Sequence, residues 1–177
     1  MNARNVEIKA AVPDFTGVTV ALARLSPGPG VVLAQEDTFF RCPGGRLKLR
    51  TLSADAGELI YYERADHAGP RTSDYGLAPT VEPGRLRAVL AAACGIIGTV
   101  RKRRTLHMVG RTRVHLDEVE GLGRFVEVEV VLDDGEPLQR GVAEARGLMA
   151  ALGIQEDQLV PQAYVDLLQQ RQRLAAR

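Results

Sequence analysis

The chain has no tryptophan, and aromatic residues make up only 5% of it, so it lacks the stacking surfaces that single-stranded nucleic acid usually requires. It has two cysteines, Cys42 and Cys94, too few and too far apart for a disulfide framework or a zinc-ligand spacing. That usage fits a reducing cytoplasm. No apolar run approaches the length of a membrane span, and Met1 to Lys9 is polar and alternating rather than a signal core. The formal net charge is only +1, which argues against a globally basic nucleic-acid binder but leaves room for a local basic site. What remains is a 177-residue chain, 45% apolar and 25% charged, expected to fold as one soluble domain of residues 1–170 with a C-terminal tail, 171–177.

The pattern that organises the chain is Phe125-Val126-Glu127-Val128-Glu129-Val130-Val131. Its period of two predicts a strand whose second face carries neighbouring glutamates. Carboxylates held side by side need water, basic partners or a divalent cation. Other strands are predicted at 5–12, 31–41, 46–50, 58–64, 96–104 and 106–117, with a hairpin turn at Pro43-Gly44-Gly45. Helices are predicted from Phe15 to Leu25 (capped by Asp14 and stopped by Pro27 to Gly30), at 83–93, at 137–152 and within 156–174. Residues 66–79 read as a polar loop, with Arg71-Thr72-Ser73-Asp74 making local hydrogen bonds. Hairpin succession with short turns favours one antiparallel sheet, strongly curved or closed, over βαβ units.

The charges are sorted by strand. Acids lie on the Glu7 and Glu127/Glu129 strands. Bases lie at Arg46/Lys48/Arg50, Lys102/Arg104 and Arg111/Arg113. A solvated sheet face normally mixes signs and polar residue types. Several strands sorted in this way predict a barrel with its charged faces turned inward around a wet lumen. His115 shares the Arg113/Asp117 face and reads as a satisfied tunnel or surface residue rather than a catalytic base. No Walker loop or dinucleotide fingerprint is present.

Taken in order, these segments resemble the CYTH proteins, the triphosphate tunnel metalloenzymes, which include class IV adenylyl cyclases and thiamine triphosphatases. Asn5-Val6-Glu7-Ile8-Lys9 resembles their E-x-E-x-K signature. Gly45 to Arg50, Val100 to Arg104, Leu116 to Gly123 and Phe125 to Glu129 follow in matching order. Ala163-Tyr164-Val165-Asp166-Leu167-Leu168 resembles the class IV cyclase branch. The resemblance covers nearly the whole chain. It implies an α+β fold: an eight-stranded antiparallel β-barrel, or tunnel, with flanking short helices.

It also implies that Lys9, Lys48, Arg50, Lys102, Arg104 and Arg113 bind the triphosphate, with Lys102, Arg104 and Asp117 at the reacting centre. Glu7, Glu127 and Glu129 would hold Mg²⁺ or Mn²⁺. The implied partner is a triphosphate-containing small molecule such as ATP, with no nucleic acid and no membrane; a homodimer is compatible with it. The implied activity is cyclisation of ATP. The alternatives are hydrolysis of thiamine triphosphate, inorganic triphosphate or a nucleoside triphosphate, or triphosphate binding with low turnover. Two positions depart from the family pattern. Asn5 replaces the first acid, and Glu63, beside Arg64, stands where many members carry a fourth-strand lysine.

Overall fold

The computed structural model describes residues 3–26 and 28–176. Met1, Asn2, Arg177 and Pro27 of the expected helix stop lie outside the described residues. Eight strands form one antiparallel sheet: β1 (Ala3–Val12), β2 (Val31–Phe40), β3 (Arg46–Thr51), β4 (Gly57–Arg64), β5 (Arg71–Thr80), β6 (Ile96–Val109), β7 (Thr112–Val119) and β8 (Gly123–Leu132). Their order is β1-β5-β4-β3-β2-β6-β7-β8, and β8 pairs with β1 to close the ring. Four helices flank it: α1 (Thr16–Leu25), α2 (Pro83–Cys94), α3 (Leu138–Ala151) and α4 (Tyr164–Ala175), with a 3-10 turn at Glu156–Gln158 before the last. Among the described residues no helix is long and apolar enough to cross a membrane.

The hydrophobic core lies outside the barrel, because the apolar parity of the strands faces outward. Ile8, Ala10, Val114, Leu116, Val126 and Val128 pack under Val18 and Leu22 of α1 and Met149 of α3. Val6, Val130 and Leu132 meet Ala145 of α3. That helix sits so close that a Cβ on Gly141 would lie 2.6 Å from Leu132 and 2.8 Å from Val6. Phe39, Val100, Val119 and Phe125 join Tyr164 and Val165 of α4 at one end of the barrel. The cap position of α1 is Phe15, which makes no side-chain cap bond; Asp14, the expected cap, lies one residue earlier and accepts only the Thr16 amide (2.8 Å).

Three further expectations are corrected. Residues 71–80 form β5 rather than loop. This strand packs a polar lumen on one side and water on the other, so apolar alternation never announces it. The expected break at residue 105 is absent. β6 runs on to Val109, and the chain reverses at Gly110, whose φ of +59° suits glycine. Arg111 therefore leaves the inward set and pairs outside the barrel with Glu136 (2.5 Å) and Glu144 (2.9 Å). The last helix starts only at Tyr164. Pro161 cannot continue a helix from 156, so residues 159–163 cross the end of the barrel extended.

Candidate active site in the barrel lumen

The inward parity of the strands encloses a cavity of about 380 Å³. It is lined by Asn5, Glu7 and Lys9 of β1, Lys48 and Arg50 of β3, Lys102 and Arg104 of β6, Arg113 and His115 of β7, and Glu127 and Glu129 of β8. One end is closed. Asp117 there is fully buried; it accepts both the Nε and Nη2 of Arg104 at 2.6 Å, Lys102 Nζ at 3.4 Å and the Tyr164 hydroxyl at 3.0 Å. The Lys9 ammonium lies 4.0 Å from the centre of the Tyr164 ring. The extended segment before α4 is pinned by lumen cations through consecutive carbonyls. Arg71 donates to Val160 (3.2 Å), Arg64 to Pro161 (3.4 Å) and Lys9 to Gln162 (3.0 Å).

Strand register brings the proposed metal ligands together. Glu7 stands directly opposite Glu129 across β1 and β8, and Glu127, two residues along, stands opposite Lys9. Each carboxylate is engaged by its own cations. Glu7 takes Arg64 at 2.6 Å and Arg71 at 3.2 Å; Glu127 takes Arg104 at 2.5 Å and Lys9 at 3.5 Å; Glu129 takes Arg113 at 3.2 Å and the Asn5 amide at 2.5 Å. Among the described residues no three His, Cys, Asp or Glu side chains converge on one point as they stand. The donor set nonetheless fits a hard divalent cation. It offers three carboxylates on the adjacent strands β1 and β8, Glu7 facing Glu129 with Glu127 two residues along, and the buried Asn5 Oδ1 has no hydrogen-bond partner.

The electrostatics show how tightly the cations are packed. Burial lowers Lys9 and Lys48 from 10.5 to about 8, even with Glu127 and Asp37 beside them. Burial and the Arg104 charge also lower Lys102. Burial alone would raise the acids. Instead Lys48 and Arg50 hold Asp37 well below the carboxylate range, while Arg104 and Lys102 do the same, less strongly, for Asp117. Arg104 and Lys9 hold Glu127 well below it.

Three residues of this site, Asp37, Arg64 and Arg71, escape the sequence reading. Asp37 is buried and binds Lys48 at 3.0 Å and Arg50 at 2.9 Å, so it already occupies two expected phosphate ligands. Its parity on β2, beside Gln35, is the signal that could have found it. Arg64, not Glu63, faces inward on β4; Glu63 points out and accepts the Tyr61 hydroxyl (2.7 Å). The departure at Glu63 therefore leaves the lumen cationic at this strand. Arg71, expected in a loop, is 2% exposed and bound to Glu7. His115, expected as a satisfied tunnel or surface residue, is buried in the lumen, but its Nδ1 is unpartnered, 3.9 Å from Glu127, and burial lowers its pKa.

Similarity to known proteins follows the same geometry. The CYTH domain profile matches residues 3–164. Adenylate cyclase CyaB of Aeromonas hydrophila is 28% identical over 93% of this chain and 88% of its own length. The PH1012 protein of Pyrococcus horikoshii OT3 superposes with a TM-score of 0.80 at 22% identity, covering 93% of this chain and 99% of that one. A putative adenylate cyclase of Vibrio parahaemolyticus superposes with a TM-score of 0.75 at 18% identity, covering 96% and 99%. The ring of eight strands, its inward charges and the profile match over nearly its whole length agree: this chain belongs to the CYTH domain family.

Proposed function

We propose that this protein is a metal-dependent adenylyl cyclase of the class IV type, converting ATP to cyclic AMP and pyrophosphate in the barrel lumen. Its family acts on triphosphates and is metal-dependent in general, which sets the class of chemistry. The observation that carries the reading is the blind-ended lumen, in which buried Lys9, Lys102 and Arg104 and half-buried Lys48 and Arg50 surround three carboxylates. So many cations in one cavity suit a polyanion. The cyclase assignment itself is supported by similarity to CyaB along most of the chain.

In this reading the Arg50 and Arg104 forks and the Lys48 and Lys102 point charges hold the phosphates. Arg50 and Lys48 do so by sharing or releasing Asp37. Glu7, Glu127 and Glu129 would hold Mg²⁺ or Mn²⁺, which supplies neutralisation of charge on the transferring phosphorus and the leaving group. Tyr164 and the segment before it close the deep end and keep bulk water from the phosphates, which strengthens every contact there. Bound in this way, the ribose hydroxyl of ATP attacks the α-phosphorus and pyrophosphate departs. Incubation with ATP and Mn²⁺ or Mg²⁺, followed by chromatography, tests the reading. Cyclic AMP and pyrophosphate support it. Orthophosphate without cyclic AMP replaces it with a triphosphatase, and tight binding without product replaces it with a binding protein.

A further inference from the structure

Cys42 and Cys94 are half-buried free thiols that take no part in the lumen. They lie far apart in the sequence, but the fold leads them to one place on the outside of the barrel. β2 and β6 pair antiparallel, and the pairing ends with Phe40 opposite Ile96. One step on, the Arg41 amide donates to the Gly95 carbonyl at 3.2 Å. The next residue along each chain is a cysteine. Antiparallel neighbours at such a point have Cα atoms roughly 4.5–5.5 Å apart, inside the roughly 4.4–6.8 Å that a disulfide spans. Gly95, at φ +74°, turns the chain from α2 into β6 here. A Cβ on it would meet the Arg41 guanidinium at 2.8 Å, so the end of the helix lies tight against the end of β2.

The path of α2 gives the same answer independently. Pro83 at its start packs on Gly57, where a Cβ would lie 2.9 Å away; Gly57 pairs with Thr51, and Thr51 with Glu36. The helix therefore begins beside Glu36 and ends beside Arg41, running along β2. Between them Arg87 Nε donates to Thr38 Oγ1 at 3.1 Å. From that contact, seven helical residues to Cys94 advance about 10 Å, and four extended residues to Cys42 about 13 Å. Leu86, Leu90 and Cys94 share the half-buried face of α2 at four-residue spacing, while Arg85, Val89 and Ala92 face water. Cys42 continues the outward parity of Thr38 and Phe40, both fully buried.

We propose that Cys42 and Cys94 are a redox pair, closed by peroxide into a disulfide that staples the end of α2 to the β2–β3 turn. In the reduced protein the Cys42 thiol donates to the Gly44 carbonyl at 2.9 Å. Rotation about its Cα–Cβ bond releases that contact and turns the sulfur toward the helix. One thiolate attacks hydrogen peroxide, giving a sulfenic acid and hydroxide; the other attacks the sulfenic sulfur, forming the S–S bond and expelling a second hydroxide. The two thiol protons convert both hydroxides to water, so the sulfurs lose two electrons and the peroxide gains them. The bond encloses residues 43–93, which carry β3, β4, β5 and lumen residues Lys48, Arg50, Arg64 and Arg71. It restricts the unfolded chain and leaves the charges of the lumen as they are. The pair stands whether or not the lumen binds triphosphate.

Mass spectrometry of the full chain tests this: the protein is reduced, freed of reductant, treated at low micromolar concentration with one equivalent of hydrogen peroxide, then alkylated with iodoacetamide. The expected product is a monomer lighter by two hydrogens that takes up no iodoacetamide, with a Cys42–Cys94 linked peptide that dithiothreitol separates. Its Tm should exceed that of the reduced protein by roughly 5–15 °C. Cys42→Ser, which cannot close the bond, should show no rise with peroxide. Thiols that both remain open to alkylation, separate oxidation of each to sulfinic acid, or a link between two chains overturns the pair. A Cys42–Cys94 bond that leaves Tm unchanged or lower overturns the staple.

Discussion

Lys48 offers the sharpest check on the electrostatics of the lumen. Its ammonium is buried, sits 3.0 Å from Asp37 and lies near the charges of Arg50 and Lys102, and its pKa falls from 10.5 to about 8. A drop of that size means the charged form is disfavoured in the fold by roughly 3 kcal/mol relative to the unfolded chain. Lys48→Met removes the charge and keeps the length. The new side chain faces the rings of Phe39 and Tyr62, which lie within 5.8 Å and 5.7 Å of the present ammonium and suit a thioether. Asp37 keeps both bonds from Arg50, at 2.9 and 3.3 Å, so no buried carboxylate is orphaned. The variant should therefore be more stable at pH 7 by about 2–3 kcal/mol, a rise in Tm of roughly 4–12 °C for a chain of this size. Triphosphate binding should weaken at the same time. The pH dependence has a definite sign. The wild-type unfolded state binds more protons than the fold between pH 8 and 10.5, so wild-type stability gains there as pH rises. The variant's advantage is full below pH 8 and fades by about 10.5. Thermal melts by circular dichroism at pH 7, 9 and 10.5 measure all of this. A lower Tm for the variant at pH 7, or an advantage that does not shrink with pH, refutes the reasoning.

Other consequences concern the closed end and the carboxylates. Asp117→Ala strips Lys102 of its ion-pair partner and leaves Arg104 only Glu127; urea denaturation should show a loss of about 3–5 kcal/mol, and a loss under 1 kcal/mol would count against a buried ion-pair cluster. Tyr164→Phe keeps the ring beneath Lys9 and removes only the hydroxyl bond to Asp117, so the same assay should read about 1–2 kcal/mol, well short of the alanine variant. Glu129→Ala should abolish metal-dependent turnover of ATP while lowering the melting temperature by several degrees, because Arg113 is partly exposed and finds water but the buried Asn5 amide loses its partner; full activity in this variant would remove Glu129 from the metal site.

The sequence reading reached the barrel through parity. On β1, β7 and β8 one face is apolar and the other carries Glu7, Lys9, Arg113, Asp117, Glu127 and Glu129, and the fold separates those faces outward and inward as expected. Where neither face is apolar the same argument is blind, which is why β5 read as a loop and Arg71 with it. Partner choice was harder still to read. Period two says that Lys48 and Arg50 point inward, but only the register of β2 against β3 reveals that Asp37 meets them. The same limit applied at β4, where a shift of one residue exchanges Glu63 for Arg64 in the lumen. The closure of one end depends on residues 159–163, whose extended path is set by contacts with Arg64, Arg71 and Lys9 rather than by any local pattern.

The most direct measurement is a crystal structure with Mn²⁺ and a non-hydrolysable ATP analogue, with the metal located by its anomalous signal. Mn²⁺ is expected among Glu7, Glu127 and Glu129, with phosphate oxygens on Lys48, Arg50, Lys102 and Arg104. Mn²⁺ or phosphate bound outside the lumen, with the internal ion pairs of Asp37 and Glu7 undisturbed, would contradict that placement.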